Sequence, residues 1–138
     1  MPALLLALAL AAAPVQGESG FRVVVHPSNA AADDLSRAQL SQLFLKKTTR
    51  WPDGRRVLPV EPGDARVRDR FCRAVHGKSL AAIRSFWLQQ IYAAREVPPL
   101  DKATDAEVVR HVRRDPDAIG YVSARTDVSG VKVVNPKD

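Results

Sequence analysis

The sequence predicts an α/β domain in which helices cover a mixed β-sheet. Three observations support this: short runs rich in β-branched residues, segments between them with apolar residues at helical spacing, and capping or turn residues where the two meet. Strands separated by helices are typical of a helix-covered sheet. With 138 residues, 46% of them hydrophobic, the chain is long enough for one core and too short for two ordinary domains.

The first predicted strand and helix have clear boundary signals. "FRVVVH", residues 21–26, is short and β-branched, and Pro27 closes it, as expected for a buried strand followed by a turn. Ser36 with Gln39 three positions later forms a capping-box pattern, which predicts a helix start. The apolar face of this helix consists of Leu40, Leu43 and Phe44.

A basic connector leads from this helix to a second predicted strand. It contains Trp51 and a Pro52-Asp53-Gly54 turn, and it ends in "RVLPV", residues 56–60. Two helices follow. The first has an apolar stripe of Val67, Phe71, Ala74 and Val75 and ends at Gly77. The second is capped by Ser79 and has a stripe of Leu80, Ile83, Trp87 and Ile91.

One more helix and two strands complete the pattern. "TDAEVVRHVRRDP" repeats the capping box with Thr104 and Glu107, and the helix is expected to stop before Pro116. "AIGYVS" and "VKVVN", residues 118–123 and 131–135, are the last predicted strands.

The first seventeen residues predict a cleaved signal peptide, so that residues 18–138 form the mature domain. Residues 1–13 are apolar and uncharged, a run too short for a membrane span of roughly 20 residues but typical of a signal-peptide core. Val15 and Gly17 favour cleavage after Gly17, and Pro14 disfavours cleavage after Ala13. A buried N-terminal helix is the alternative. The predicted location is the periplasm, with no stable membrane insertion after cleavage.

Charge and cysteine usage limit the class of protein further. A formal net charge of +6 favours anionic partners in general. The cations are scattered through the chain instead of being concentrated with aromatic residues on one segment, which argues against nucleic acid as a partner. Cys72 is the only cysteine, so no internal disulfide can form and the core must hold the fold.

Six separated segments in register resemble a known family. They are "VVVHPSN", "LSRAQLSQLFL", "RWPDGRRVLPV", "VRDRF", "FWLQQIY" and "AIGYVS". Together they resemble the phosphate ABC transporter substrate-binding protein family in its short, single-lobe form, over almost the whole mature chain. The resemblance implies a single lobe of the type 2 periplasmic binding protein fold, no cofactor and no catalysis. It also implies that Trp51 packs beneath its turn, and that Lys46 stands where the family usually has glycine.

The resemblance implies a ligand site after the second strand. Phosphate receptors hold their oxyanion between two lobes with backbone N–H groups and hydroxyls at helix N-termini. The family's Gly-Ser pair falls at Gly63, Asp64 and Ala65, where no hydroxyl is present and Asp64 brings a carboxylate. Asp64 is also a good N-cap residue. Arg66 and Arg68 either restore a positive field there or are ordinary helix-surface charges.

Other candidate sites carry weaker signals. Ser28 and Asn29 follow the first strand and either cap the turn or reach a ligand at the strand ends, where open α/β sheets bind. Cys72 and His76 are four residues apart, a spacing that permits a thiolate–imidazole pair, but no third orienting residue is evident. The spacing of the three histidines does not predict a zinc site.

The sequence leaves two main functions open. The first is a binding-protein-like module with weak affinity for phosphate or a related small anion, working alone or beside a transport or sensory partner. The second is an interaction or structural protein that keeps the fold without a ligand.

Overall fold

The computed structural model describes residues 20–138 and contains a five-stranded mixed sheet with helices on both faces. The strands are β1 (Phe21–Val25), β2 (Leu58–Pro62), β3 (Leu100–Lys102), β4 (Ala118–Ser123) and β5 (Lys132–Val134). The helices are α1 (Arg37–Phe44), α2 (Ala65–Phe71), α3 (Leu80–Tyr92) and α4 (Asp105–Arg114). A 3-10 turn covers Ala30–Ala32, and a π-helical turn covers Cys72–His76. The predicted fold class is therefore confirmed, whereas the predicted signal peptide lies outside the described residues.

The strand order, β3-β2-β4-β1-β5, determines which loops meet. β2 runs parallel to β3 and β4, while β1 runs antiparallel to β4 and β5. The carboxyl ends of β2, β3 and β4 therefore share one end of the sheet, here called the carboxyl edge, where β1 begins. The opposite end, the amino edge, holds the residues that follow β1.

Alternating strand residues divide the core into two layers. On one face, β1 and β4 pack against α1 and α2 through an aromatic cluster in which the rings of Phe71 and Tyr121 stack with centroids 3.8 Å apart. On the other face, Val24 and Val60 pack against the valines of α4. α3 lies at the side of the first layer and buries Leu80, Ile83 and Trp87 around Cys72.

Several predicted helix boundaries are confirmed by capping contacts. Ser36 and Gln39 form the complete capping box of α1. The side chain of Thr104 accepts a hydrogen bond from the Glu107 backbone N–H. The Glu107 carboxylate, however, accepts its hydrogen bond from the backbone N–H of Ala103 instead of that of Thr104. Only half of the predicted capping box of α4 is therefore formed, because the second hydrogen bond involves the residue before the N-cap.

Three expectations need correction. The second strand begins at Leu58, two residues later than predicted, because residues 50 and 56 pair in the preceding turn. The sequence pattern missed β3, since only three residues pair there. Ile91 was expected in the buried stripe of α3 but is 50% exposed, because the helix extends beyond the surface that covers its first turns.

The basic connector folds as the resemblance implied. Trp51 is 2% exposed, and its indole Nε1–H donates to the backbone oxygen of Asp117 at 3.1 Å. Trp51 is thus a structural plug that ties the connector to the start of β4. Lys46 follows α1 with φ of 54°, in the left-handed region that favours glycine.

Candidate functional site

The turn between β2 and α2 brings the chain close to its neighbour at the carboxyl edge. A Cβ atom on Gly63 would lie 2.8 Å from the backbone oxygen of Ala103, so this position requires glycine. Asp64 is the N-cap of α2, and its Oδ1 accepts a hydrogen bond from the Arg66 backbone N–H at 2.8 Å. The capping role of Asp64 is confirmed, and Ala65 begins the helix without a hydroxyl group to offer a ligand.

A partly buried ionic cluster lies beside this turn, on the α2 face of the sheet. The guanidinium of Arg68 reaches the Glu61 carboxylate at 2.7 Å and the Asp101 carboxylate at 3.1 Å. Glu61 is 6% exposed, and burial raises its pKa despite the opposing charge of Arg68. Arg68 is therefore not an ordinary surface charge. Two carboxylates already neutralise it.

Polar groups at the start of α4, which also lies at the carboxyl edge, form hydrogen bonds with other groups of the same chain. Thr104 accepts a hydrogen bond from the Glu107 backbone N–H, and the Glu107 carboxylate accepts one from the backbone N–H of Ala103, which precedes the helix. The carboxylate of Asp105 accepts a hydrogen bond from the backbone N–H of Ser123 at the end of β4. The backbone donors that could bind an oxyanion here are thus partly occupied by the protein's own carboxylates.

Ser28 and Asn29 lie at the amino edge, away from the other predicted ligand residues. One strand of five residues spans roughly 16 Å, so the two predicted groups cannot contact one small ligand together. Ser28 is exposed, and its hydroxyl lies 2.7 Å from the imidazole of His26. Asn29 is fully buried, where its side-chain oxygen accepts from Arg55 and its backbone oxygen accepts from Lys132. Both residues have structural contacts that stabilise the turn.

The Cys72 and His76 pair lacks the properties of an activated nucleophile. Burial raises the pKa of the Cys72 thiol to about 12, which keeps it protonated at neutral pH. Burial, together with nearby Lys47 and Lys78, lowers the pKa of His76 to about 4. The His76 Nδ1 lies 2.7 Å from the hydroxyl of Ser41, so the imidazole is engaged by α1. These shifts oppose a thiolate–imidazolium pair.

The described part of the chain lacks two further kinds of feature. No group of three or more His, Cys, Asp or Glu side chains within residues 20–138 is arranged to hold a metal ion. Over the same residues, no helix has the length and apolar character needed to cross a membrane.

Sequence reasoning missed two members of the carboxyl edge, Glu61 and Asp101. Glu61 had a detectable signal, since it is a charged residue directly following the apolar "VLPV" run, and a buried charge requires a partner. Asp101 gave no comparable signal, because its place depends on the pairing of β3 with β2.

Comparison with known proteins identifies the fold. No protein-family profile matches the sequence, and no curated protein matches it. A phosphate ABC transporter substrate-binding protein from Clostridium perfringens, solved with bound phosphate, superposes with a TM-score of 0.63 and 22% identity over 85% of this chain. An ABC-type phosphate transport receptor from Vibrio cholerae superposes with a TM-score of 0.60 and 20% identity over 84% of this chain. PstS from Borrelia burgdorferi superposes with a TM-score of 0.56 and 12% identity over 86% of this chain.

The matched part is 44%, 45% and 48% of those three structures, so the chain spans less than half of their length. The α/β fold of this chain is therefore that of phosphate ABC transporter substrate-binding proteins, over less than half of their length.

Proposed function

We propose that this chain is a single-lobe, substrate-binding-protein-like module that binds phosphate or a related small oxyanion only weakly. The observation that carries the proposal is that carboxylates of the protein itself already pair with the positive charge at the carboxyl edge. Arg68, one of the two arginines of the predicted site, is held by Glu61 and Asp101. Asp64 places a further negative charge at the start of α2, where an oxyanion would approach.

The same fold assignment supports a role in transport or sensing at the cell envelope. Two of the proteins with this fold, from Clostridium perfringens and Vibrio cholerae, are named as phosphate transport proteins. We propose a periplasmic location after removal of residues 1–17, a transporter or sensor protein as partner, and no catalytic activity. The neutral Cys72 thiol supports the last point, because nucleophilic work would require its thiolate.

Isothermal calorimetry of residues 18–138 with phosphate and with sulfate tests the oxyanion proposal. We expect a Kd no tighter than about 1 mM, equivalent to about 4 kcal/mol. In the double variant Asp64→Gly with Ala65→Ser, the carboxylate is lost and a hydroxyl is gained at the helix start, so both anions should bind measurably more tightly. Glycine remains an acceptable N-cap, so helix stability should fall by only a few tenths of a kcal/mol.

Ser28→Ala provides the matched control, since Ser28 lies at the amino edge and should not affect anion affinity at the carboxyl edge. Micromolar binding by the unmodified protein would contradict the weak-site proposal. An unchanged affinity in the double variant would favour the second candidate function, an interaction module without a ligand.

One observation specifically favours that second candidate. Near its C-terminal end, α3 exposes three large apolar residues, Leu88 at 56%, Ile91 at 50% and Tyr92 at 89%. These residues are spaced three and four apart, so they share one side of the helix. Exposed aliphatic residues beside an aromatic residue are typical of protein contact surfaces.

A further inference from the structure

We propose that β3 and the neighbouring face of α4 form a docking groove for an extended acidic segment of another protein. β3 contributes Asp101 to the ionic cluster with Arg68, but the groove lies on the opposite, α4 face of the sheet, and its cations are not those of the oxyanion site. The inference is therefore independent of the proposed affinity for phosphate.

The first observation is an open sheet edge. Within residues 20–138, β3 stands last in the sheet and pairs only with β2, so its outer backbone groups have no strand partner. Leu100, the first residue of β3, is 41% exposed. An edge with free N–H and C=O groups can pair with an added strand, which is how many proteins bind extended peptides.

The second observation is a cationic cavity beside that edge. A cavity of about 420 Å³ is lined by Lys102, Glu107, Arg110, His111, Arg114 and Asp115. Its α4 residues recur three and four apart and therefore share one helix face. The carboxylate of Glu107 accepts from the Ala103 backbone, and that of Asp115 accepts from the Asp117 backbone. Both carboxylates in the cavity thus already accept hydrogen bonds from the backbone.

The cations of the cavity, in contrast, have no carboxylate partner. Among the described residues, the side chains of Lys102, Arg110 and Arg114 take part in no ion pair or hydrogen bond. The nearest approach of His111 to a carboxylate is 3.8 Å, from Nε2 to Asp115, which is too long for a hydrogen bond. The cavity therefore has a net positive charge that a ligand could neutralise.

The pairing register of β3 with β2 places the open strand and the cationic cavity on the same face of the sheet. Val60 belongs to the core on the α4 face and pairs with Leu100, so Leu100 and Lys102 point to that same face. Asp101, between them, points to the opposite face and contacts Arg68. A strand added beside β3 would therefore direct every second side chain towards the cations of Lys102 and α4.

This geometry favours an acidic peptide over two other occupants. A second copy of this chain carries the same formal charge of +6, so the positive grooves would repel one another. A small oxyanion could neutralise the cations but would leave the backbone of β3 unpaired. An extended segment with acidic residues at alternate positions would pair with the free backbone groups of β3 and would also neutralise the cations of the cavity.

Fluorescence anisotropy with a labelled peptide of alternating glutamate and valine tests the proposal on residues 18–138. We expect saturable binding that weakens as salt is raised, because charges contribute to it. A peptide with proline in place of valine keeps the charge but cannot pair with a strand edge, so it should bind at least tenfold more weakly. Hydrogen exchange at the backbone amides of β3 should slow only with the valine peptide.

Charge variants complete the test. Arg110→Glu with Arg114→Glu should weaken peptide binding at least tenfold, and Lys102→Glu gives a second variant outside the helix in case the first fails to fold. Arg84→Glu with Arg95→Glu, two exposed residues outside the groove, is the matched control and should bind like the parent. Equal binding of the valine and proline peptides would overturn the docking groove in favour of a simple anion site. Absence of binding, or equal loss in the control, would also overturn it.

Discussion

At the scale of single residues, burial shifts the pKa of several groups near α2. Burial raises the pKa of Glu61 and raises that of Tyr121 well above its ordinary value, while it lowers that of His76. Burial opposes the charged form of each group, and the nearby charge of Arg68 limits the shift of the Glu61 carboxylate. Arg68 is the exception, and it remains charged because two carboxylates surround it. These buried groups thus act as structural polar residues.

The buried imidazole of His76 predicts acid sensitivity. Its folded pKa of about 4 lies below the ordinary 6.5, so the unfolded chain binds the extra proton first. The stability that His76 contributes is fully present above pH 6.5 and is lost as pH falls from 6.5 towards 4. The loss corresponds to at most roughly 3 kcal/mol. Urea unfolding at several pH values between 4 and 7 measures it.

Comparison with His76→Gln isolates this contribution. The comparison is needed because the raised pKa of Glu61 acts in the opposite direction, with its stability contribution lost as pH rises above 4.5. Glutamine does not titrate and can still bond to Ser41, so the variant should lose less stability on acidification than the parent. Equal pH dependence in the two proteins would show that His76 is not buried as described.

Lys46 predicts a stabilising substitution. Its φ of 54° is a left-handed conformation that costs a non-glycine residue roughly 1 kcal/mol, and its contact with Glu96 is long, at 3.9 Å. Lys46→Gly should therefore raise the free energy of unfolding by about 0.5–1 kcal/mol in chemical denaturation. Lys47→Gly serves as the control, since Lys47 has no positive φ, and it should be neutral or destabilising. A destabilised Lys46→Gly protein would contradict the strain assigned to this turn.

At the scale of elements, α3 has one buried and one exposed apolar side. Trp87 is 7% exposed and packs against Phe86 and the cluster around Cys72, whereas its neighbour Leu88 is 56% exposed. Trp87→Ala should cost about 3–5 kcal/mol through lost burial and a cavity. Leu88→Ala should cost much less, because little of its surface is removed from water. Denaturation midpoints measure both, and similar midpoints for the two variants would mean that the helix phase is wrong.

The elements differ in how far the sequence predicts them. β4 matches its predicted bounds because its first five residues form a buried, largely apolar run, and α1 begins where its capping box predicts. These signals are local in sequence. β3 was missed because its few residues become a strand only by pairing with β2.

The candidate site divides in the same way. The N-cap role of Asp64 follows from its position before a helix and was predicted. The ionic cluster of Glu61, Arg68 and Asp101 was not predicted as a unit, because it requires the register of two neighbouring strands and the placement of α2 above them. The separation of Ser28 and Asn29 from Gly63 also depends on strand direction. Local chemistry was therefore predictable, whereas contacts across the sheet were not.

At the scale of the whole molecule, the buried clusters of the described residues 20–138 extend from Phe21 at the start of β1 to Val134 at the end of β5. The backbone of Lys137 also bonds to Leu35 and Arg37. A protein that begins near residue 18 retains all of these clusters, and we expect it to fold. Its thermal unfolding should be a single cooperative transition, as is usual for small domains.

The last prediction concerns processing of the chain. The run of apolar residues 1–13, followed by small residues at positions 15 and 17, predicts removal of residues 1–17 during export. We expect the exported protein to begin at or near Glu18, as measured by intact-mass spectrometry of the periplasmic fraction of an expressing Gram-negative bacterium. Substitution of Gly17 by a bulky residue, Gly17→Trp, should block cleavage and leave a heavier product, while Ser19→Trp lies beyond the predicted cleavage site and should not. A periplasmic product that retains Met1 would contradict both the cleavage and the periplasmic assignment, because an intact apolar leader on a folded domain would mean that residues 1–17 serve another purpose.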